Sequence, residues 1–257
     1  MPLWHSLGEA DLPTAQGWLS AAEAERMKKM RFTKRRTEWL LARWTGKQAL
    51  AAALSLPSNP ASLAHIEIGA ILGGDARGAP QVLVGGCRVP IGISLSDRAG
   101  WAVCTVADTE PIGCDLELLE PRSDSFVQDY FTPSERRALA DPPFEASRDL
   151  LANLIWSAKE SALKVLRTGL RRNTRSVDVA LSSGSLVDGW RPLVTHTEEC
   201  GWLSGWWRQY GVFLLTVSAA ADLPPPRPLA EPPALATAEP SHSWMTSPIV
   251  TDYGHDR

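Results

Sequence analysis

Residues 151–166 constrain the fold most, because their spacing allows one kind of element. At about 100° per residue, Leu151, Leu154, Ile155, Ala158, Ala162, Val165 and Leu166 fall on one side of a helix, and an apolar side that continuous must face a core. Asn153, Ser157, Glu160 and Lys164 recur at spacings of four, three and four on the opposite side. Trp156 and Leu163 flank this polar stripe, so it need not be an open solvent face. Gly169, after Thr168, reads as the helix stop. Taken alone, Glu160 and Lys164 are also an ordinary surface pair, worth about 0.2–0.5 kcal/mol.

Upstream, the apolar run Trp101–Ala107 and a turn-like Asp108-Thr109-Glu110-Pro111 make Ile112–Leu118 the second strand of an expected hairpin. Side chains alternate along a strand, so Asp115 and Glu117 point to the same side. Two carboxylates that close resist ionising together unless a cation sits between them. Hard oxygen ligands of this kind suit magnesium, which keeps water and substrate phosphates in the rest of its octahedron. A lone acidic-apolar-acidic strand is otherwise a solvated edge.

Read together, Gly113-x-Asp115-x-Glu117 and Trp156-Ser157-x-Lys159-Glu160-Ser161-x-x-Lys164, about forty residues apart, resemble the signature of the 4'-phosphopantetheinyl transferase superfamily. The length of the chain resembles that of the large, monomeric, surfactin-synthetase type. The likeness covers roughly residues 20 to 220 and includes Arg31-Phe32, Leu40 to Arg43, Gly78-Ala79-Pro80, Ile93-Ser94-Leu95-Ser96, and Asp129-Tyr130-Phe131-Thr132 with Glu135. It implies an α+β fold in which two similar α/β subdomains form an intramolecular pseudo-dimer. The implied layout is an N-terminal half over 1–108, a C-terminal half with the metal-site motifs over 109–222, and a proline-rich tail over 223–257.

The implied reaction moves the phosphopantetheine arm of coenzyme A to a serine of an apo acyl, aryl or peptidyl carrier protein and releases adenosine 3',5'-bisphosphate. That is the holo-[acyl-carrier-protein] synthase type of chemistry, serving fatty acid, polyketide or nonribosomal peptide synthesis. By the resemblance Asp115, Glu117 and Glu160 are the magnesium ligands, and Glu160 also accepts the serine proton, directly or through water. Lys164 donates to the diphosphate, with Lys159 beside it, and Ser96 and Arg98 lie where coenzyme A binds. The alternative is a catalytically impaired relative that binds carrier protein or coenzyme A. It is motivated by Asp97, which stands where the family usually has a histidine, and by Ala79, which stands where a basic residue is common. Pairing with Arg98 or another cation is the least costly arrangement for Asp97.

A basic cluster of Lys28, Lys29, Arg31, Lys34, Arg35 and Arg36 is either a solvated helix end or a docking surface for coenzyme A phosphates or an acidic carrier. Arg43 and Lys47, one turn apart, are further candidates for binding coenzyme A. The formal net charge of -3 gives no general attraction to nucleic acid. No stretch of about eighteen apolar residues and no signal peptide is evident, so a soluble, cytoplasmic chain without membrane partners is expected, and the resemblance implies a monomer. Cys87, Cys104, Cys114 and Cys200 lack metal-type spacing and read as reduced thiols.

Helices are expected after Ser20, whose spacing to Glu23 is that of a capping box, around Thr37–Leu54, and from Thr132-Pro133-Ser134-Glu135. Strands are expected near Ala64–Ile71, Gln81–Val84, Ile91–Leu95, Val177–Leu181, Gly201–Arg208 and Tyr210–Ala219. Trp202, Trp206 and Trp207 read as core or sheet-face packing, or as an aromatic platform. Seven prolines between Pro224 and Pro240 make residues 223–257 a disordered tail. No internal repeat is evident in the sequence.

Overall fold

Two long helices each carry their own run of strands. The computed structural model describes residues 1–241 apart from 75, 109–110, 169–170 and 182–183. The first run is β1 (Leu3–Gly8), α1 (Ala21–Lys28), α2 (Thr33–Ala53), α3 (Pro60–Ala64), β2 (Ile66–Ala70), β3 (Pro80–Val84), β4 (Cys87–Val89), β5 (Gly92–Arg98) and β6 (Trp101–Ala107). The second is β7 (Ile112–Leu118), α4 (Asp124–Tyr130), α5 (Pro133–Ala140), α6 (Arg148–Val165), β8 (Val177–Ala180), β9 (Arg191–Thr197), β10 (Gly201–Tyr210) and β11 (Phe213–Ala219). A last short strand, β12 (Arg227–Pro228), follows. The architecture is mixed α+β. The sheets run β12-β1-β6-β5, β7-β11-β10-β9-β8 and β2-β3-β4. No helix among the described residues is long and apolar enough to cross a membrane.

The hairpin expected of β6 and β7 does not form. Both edges of β6 are taken, by β1 and β5, so the chain passes to another sheet, where β7 pairs antiparallel with β11. The turn residues Thr109 and Glu110 lie outside the described residues, as does Gly169, the expected helix stop. β7 still touches β5, where the Cys114 amide donates to Ser94 Oγ at 2.8 Å.

The apolar side of α6 is buried as its spacing demands. Ser147 caps its first turn by accepting from the Leu150 amide. α2 starts at Thr33, earlier than expected, because nothing in Thr33-Lys34-Arg35-Arg36 opposes a helix. The sequence reading missed α3, α4, β1, β4 and β9, all of them short or weakly patterned.

A repeat absent from simple inspection emerges from the buried charges. Ser20 and Glu23 form the capping box of α1, and Glu23 binds Lys47 Nζ at 2.5 Å and accepts from the Ile68 amide at 3.1 Å. Thr132 and Glu135 form the box of α5, and Glu135 binds Lys159 Nζ at 2.8 Å and accepts from the Val179 amide at 2.8 Å. Ser20, Glu23 and Lys47 are each matched 112 residues further along. At the same offset Trp44-Thr45-Gly46-Lys47-Gln48 matches Trp156-Ser157-Ala158-Lys159-Glu160. In both places a buried carboxylate joins a helix start, a long helix and a strand.

The expected disordered tail is corrected over its described part. Residues 223–241 lie along the body as a strap. Trp206 Nε1 donates to Leu223 O at 2.8 Å, β12 pairs parallel with Leu3 and Trp4 of β1, and Leu235 is fully buried beside Trp4, Trp190 and Tyr210. Farther on, Trp101 Nε1 donates to Glu239 O at 2.7 Å and the Ser241 amide to Ala99 O at 2.9 Å. Prolines exclude a central strand but not an edge pairing or an extended path, and apolar residues between them can still dock. Residues 242–257 lie outside the described residues. The tryptophans do not form one platform: Trp207 is core, Trp206 meets the strap on the other sheet face, and Trp202 is 64% exposed.

Candidate functional site

The polar stripe of α6 is turned onto β7, where it meets the two strand carboxylates. Ser157 Oγ donates to Asp115 Oδ2 at 2.9 Å, and Trp156 Nε1 donates to Glu117 Oε1 at 2.8 Å. Lys164 Nζ reaches Asp115 Oδ1 and Cys114 O, at 2.9 and 2.8 Å. Ser96 Oγ, from β5, donates to Asp115 Oδ1 at 2.9 Å. Gly113 makes this approach possible, since a Cβ there would sit 1.9 Å from Ser161 O on the helix backbone. Asp115, Glu117, Ser157 and Asn153 are buried, so the stripe is an interior surface of the site.

Glu117 is held by cations. Arg122 Nη2 lies 2.9 Å and Arg98 Nε 3.4 Å from its Oε2. Arg98 also binds Glu120 at 2.9 Å, so the expected Arg98–Asp97 pair is not made. Asp97 is exposed; crowding by the surrounding protein, with Glu38 adding to it, raises its carboxyl above the ordinary range. Neighbouring Asn153 fixes Arg122 by accepting from its Nε at 2.8 Å.

Glu160 stands apart from these pairings. Its Oε1 is buried without a hydrogen-bond partner. Burial, with Asp115 next in effect, pushes its carboxyl up to about 7. Burial also raises the Glu117 carboxyl, again with Asp115 contributing. Burial is the largest effect on Lys164 and opposes its charge, but Asp115, Cys114 and Glu160 together outweigh it and hold the ammonium above its usual value.

Lys164 connects this cluster to a cavity of about 830 Å³. Its described wall draws on β2, β3, β5 and the end of α6, and carries Arg26, Arg43, Arg77, Lys164, Arg167 and Arg171 with no carboxylate among the described lining residues. Such a wall favours a polyanion. Arg43 is mostly buried over the Trp39 ring, 3.9 Å from Glu23, and burial lowers its guanidinium to about 10.

Two expected ligand contacts are corrected. Lys47 is fully buried against Glu23, Trp18 O and Leu63 O, and Lys159 against Glu135, Thr174 O and Val177 O. Neither lines the cavity; each is saturated in a structural ion pair. Arg122 was missed, and sequence spacing gave no sign that Asn153 of the polar stripe would fix it beside Glu117.

Residues 111–206 match the family model of the 4'-phosphopantetheinyl transferase superfamily. That segment, which holds β7 and α6, is similar to the superfamily. It is 32% identical over 111 residues to a 4'-phosphopantetheinyl transferase of Bacillus subtilis, covering 41% of this chain and 49% of that protein. The chain thus spans about half the length of that relative. It is 26% identical over 176 residues to the 4'-phosphopantetheinyl transferase HetI of a Nostoc species, covering 68% of this chain and 70% of that one.

Among the described residues, no group of three or more His, Cys, Asp or Glu side chains converges as a ready metal site. Lys164, Arg98 and Arg122 instead neutralise the strand carboxylates. The orphaned Glu160 Oε1 beside Asp115 nevertheless fits a hard divalent cation in chemistry and charge.

Proposed function

We propose that this chain transfers the 4'-phosphopantetheine group of coenzyme A to a serine of an apo carrier protein, releasing adenosine 3',5'-bisphosphate. The observation that carries the reading is the cation-lined cavity ending at Lys164, which is bound to the buried Asp115. Coenzyme A lies in this cavity with its diphosphate toward Lys164, whose ammonium donates to a phosphate oxygen. Asp115, Glu160 and Glu117 would hold magnesium, which supplies charge neutralisation as the phosphorus–oxygen bond breaks.

Glu160 takes the proton of the attacking serine, directly or through water. The serine oxygen bonds to the phosphorus bearing the pantetheine arm, and the nucleotide leaves with the bridging oxygen. Ser96, Ser157 and Lys164 orient Asp115, while Trp156 and Arg122 orient Glu117. The two runs of strands, each braced by its buried Glu–Lys pair, are the halves of an intramolecular pseudo-dimer, and Gln48 stands in the first half where Glu160 stands in the second. The chain therefore has one complete site.

A carrier with a fatty acid, polyketide or nonribosomal peptide role fits the reaction, and the exposed Phe32 amid Lys29, Arg31 and Arg35 is suited to an acidic docking helix. A binding-only relative is the second reading, favoured by the full engagement of Glu117 with Trp156 and two arginines. Incubation with coenzyme A, magnesium and an apo carrier separates them. Release of adenosine 3',5'-bisphosphate supports transfer, whereas tight coenzyme A binding without release supports the second reading.

A further inference from the structure

The guanidiniums of Arg98 and Arg122 both reach Glu117, but they are held differently. Arg122 is locked: its Nε donates to Asn153 Oδ1 at 2.8 Å, its Nη2 donates to Glu117 Oε2 at 2.9 Å, and its guanidinium packs over the Phe126 ring at 4.9 Å. Arg98, the last residue of β5, is shared. Its Nε is 3.4 Å from Glu117 Oε2, whereas its Nη2 donates to Glu120 Oε2 at 2.9 Å, so the closer contact is with Glu120. Glu120 is buried in the connection between β7 and α4, and Asn153 Nδ2 on α6 pins its main chain by donating to Glu120 O at 2.7 Å. A cation from the first run of elements thus bridges two carboxylates of the second.

A carboxylate paired with guanidiniums has less charge to offer a divalent cation, and guanidinium and cation repel each other. A partly buried arginine does not readily leave one carboxylate unless another receives it, because an unpaired charge away from water is costly. We propose that Glu120 is a positioning residue for Glu117: it keeps Arg98 when Glu117 turns to a divalent cation. With Glu120 present, Arg98 gives up its longer contact and retains its shorter one. Without it, Arg98 belongs to Glu117 alone and competes with the cation for the same carboxylate. This role rests on the proposed function, in which Glu117 is a cation ligand, and it reconciles that ligand with its arginine partners.

The test is titration of the full chain with manganese(II) as the probe for magnesium, followed by loss of the free-ion electron paramagnetic resonance signal. Wild type, Glu120→Gln, Arg98→Gln and the double variant are compared. Glu120→Gln should weaken manganese binding about tenfold, within the coupling of groups in one ion-pair network. In the Arg98→Gln background the same change should alter affinity by less than about twofold, because no guanidinium is left to redirect. Glu120→Asp keeps the charge with a shorter reach, so it should give a smaller loss, and it serves if Glu120→Gln does not fold. In transfer assays Glu120→Gln should raise the magnesium concentration needed for half-maximal rate, with the rate at saturating magnesium within about twofold of wild type. Unchanged affinity in Glu120→Gln, or an equal loss in both backgrounds, overturns the positioning role and leaves the proposed function standing. A wild-type chain that takes up no manganese, with or without coenzyme A, overturns the cation role of Glu117 and the role of Glu120 with it.

Discussion

Replacing Leu235 by alanine tests whether the proline-rich strap is part of the folded body. Its side chain is fully buried against Trp4, Trp190 and Tyr210, and its amide donates to Ser6 Oγ at 3.2 Å. A buried leucine cut to alanine costs about 2–5 kcal/mol, and a strap that can shift over the gap places the effect at the lower end, about 2–3 kcal/mol. At about 2–4 °C per kcal/mol for a chain of this size, the melting temperature should fall by roughly 4–12 °C. Truncation after Asp222 should cost at least as much. It removes Leu235 together with the bonds to Trp4 O, Ala99 O and the Trp101 and Trp206 indoles. Differential scanning calorimetry gives the stability, and hydrogen exchange of the β1 amides gives the location. Unchanged melting in both variants would mean that the strap does not dock in solution.

Further outcomes follow from the buried charges. Lys159→Ala should destabilise by about 3–5 kcal/mol, because it strands Glu135 in the core, and chemical denaturation should show a like loss for Lys47→Ala through Glu23. Without divalent cation, the raised carboxyl of Glu160 means that the folded state holds its proton more tightly than the unfolded chain does. Its contribution to stability therefore falls as pH rises from about 4.5 through about 7, and Glu160→Gln should flatten that decline in melting scans with chelator present. Asp115→Asn, which keeps the shape met by Ser96, Ser157 and Lys164, should reduce transfer at least about a hundredfold with melting shifted by only a few degrees. Asp97→His should bind coenzyme A as tightly or more tightly in calorimetry, since it replaces a carboxylate crowded by the protein and by Glu38.

Much of the site was legible because it lies on regular elements with strong periodicity. Alternation along β7 put Asp115 and Glu117 on one face, and the α6 wheel put Asn153, Ser157, Glu160 and Lys164 on another; the fold presses the two together. Partner choice was less legible. Whether Arg98 turned to Asp97 or to Glu117 and Glu120 depended on which strand lay opposite β5, and the hairpin reading of β6 and β7 concealed that. Lys47 and Lys159 look like ligand-binding cations in sequence, since only the tertiary structure brings Glu23 and Glu135 beneath them. The repeat was hidden because most of its matched positions keep size and polarity, as in Thr45 and Ser157, rather than identity. The strap was hidden because proline content measures the lack of regular structure and says little about docking.

The central claim is tested most directly by intact-mass measurement of an apo carrier protein incubated with this chain, coenzyme A and magnesium. The account predicts a mass increase of one phosphopantetheine per carrier, dependent on magnesium, absent from a carrier whose acceptor serine is alanine, and lost with Glu160→Gln. A carrier left unmodified by wild-type protein that binds both coenzyme A and the carrier, or one modified equally by Glu160→Gln, would contradict it.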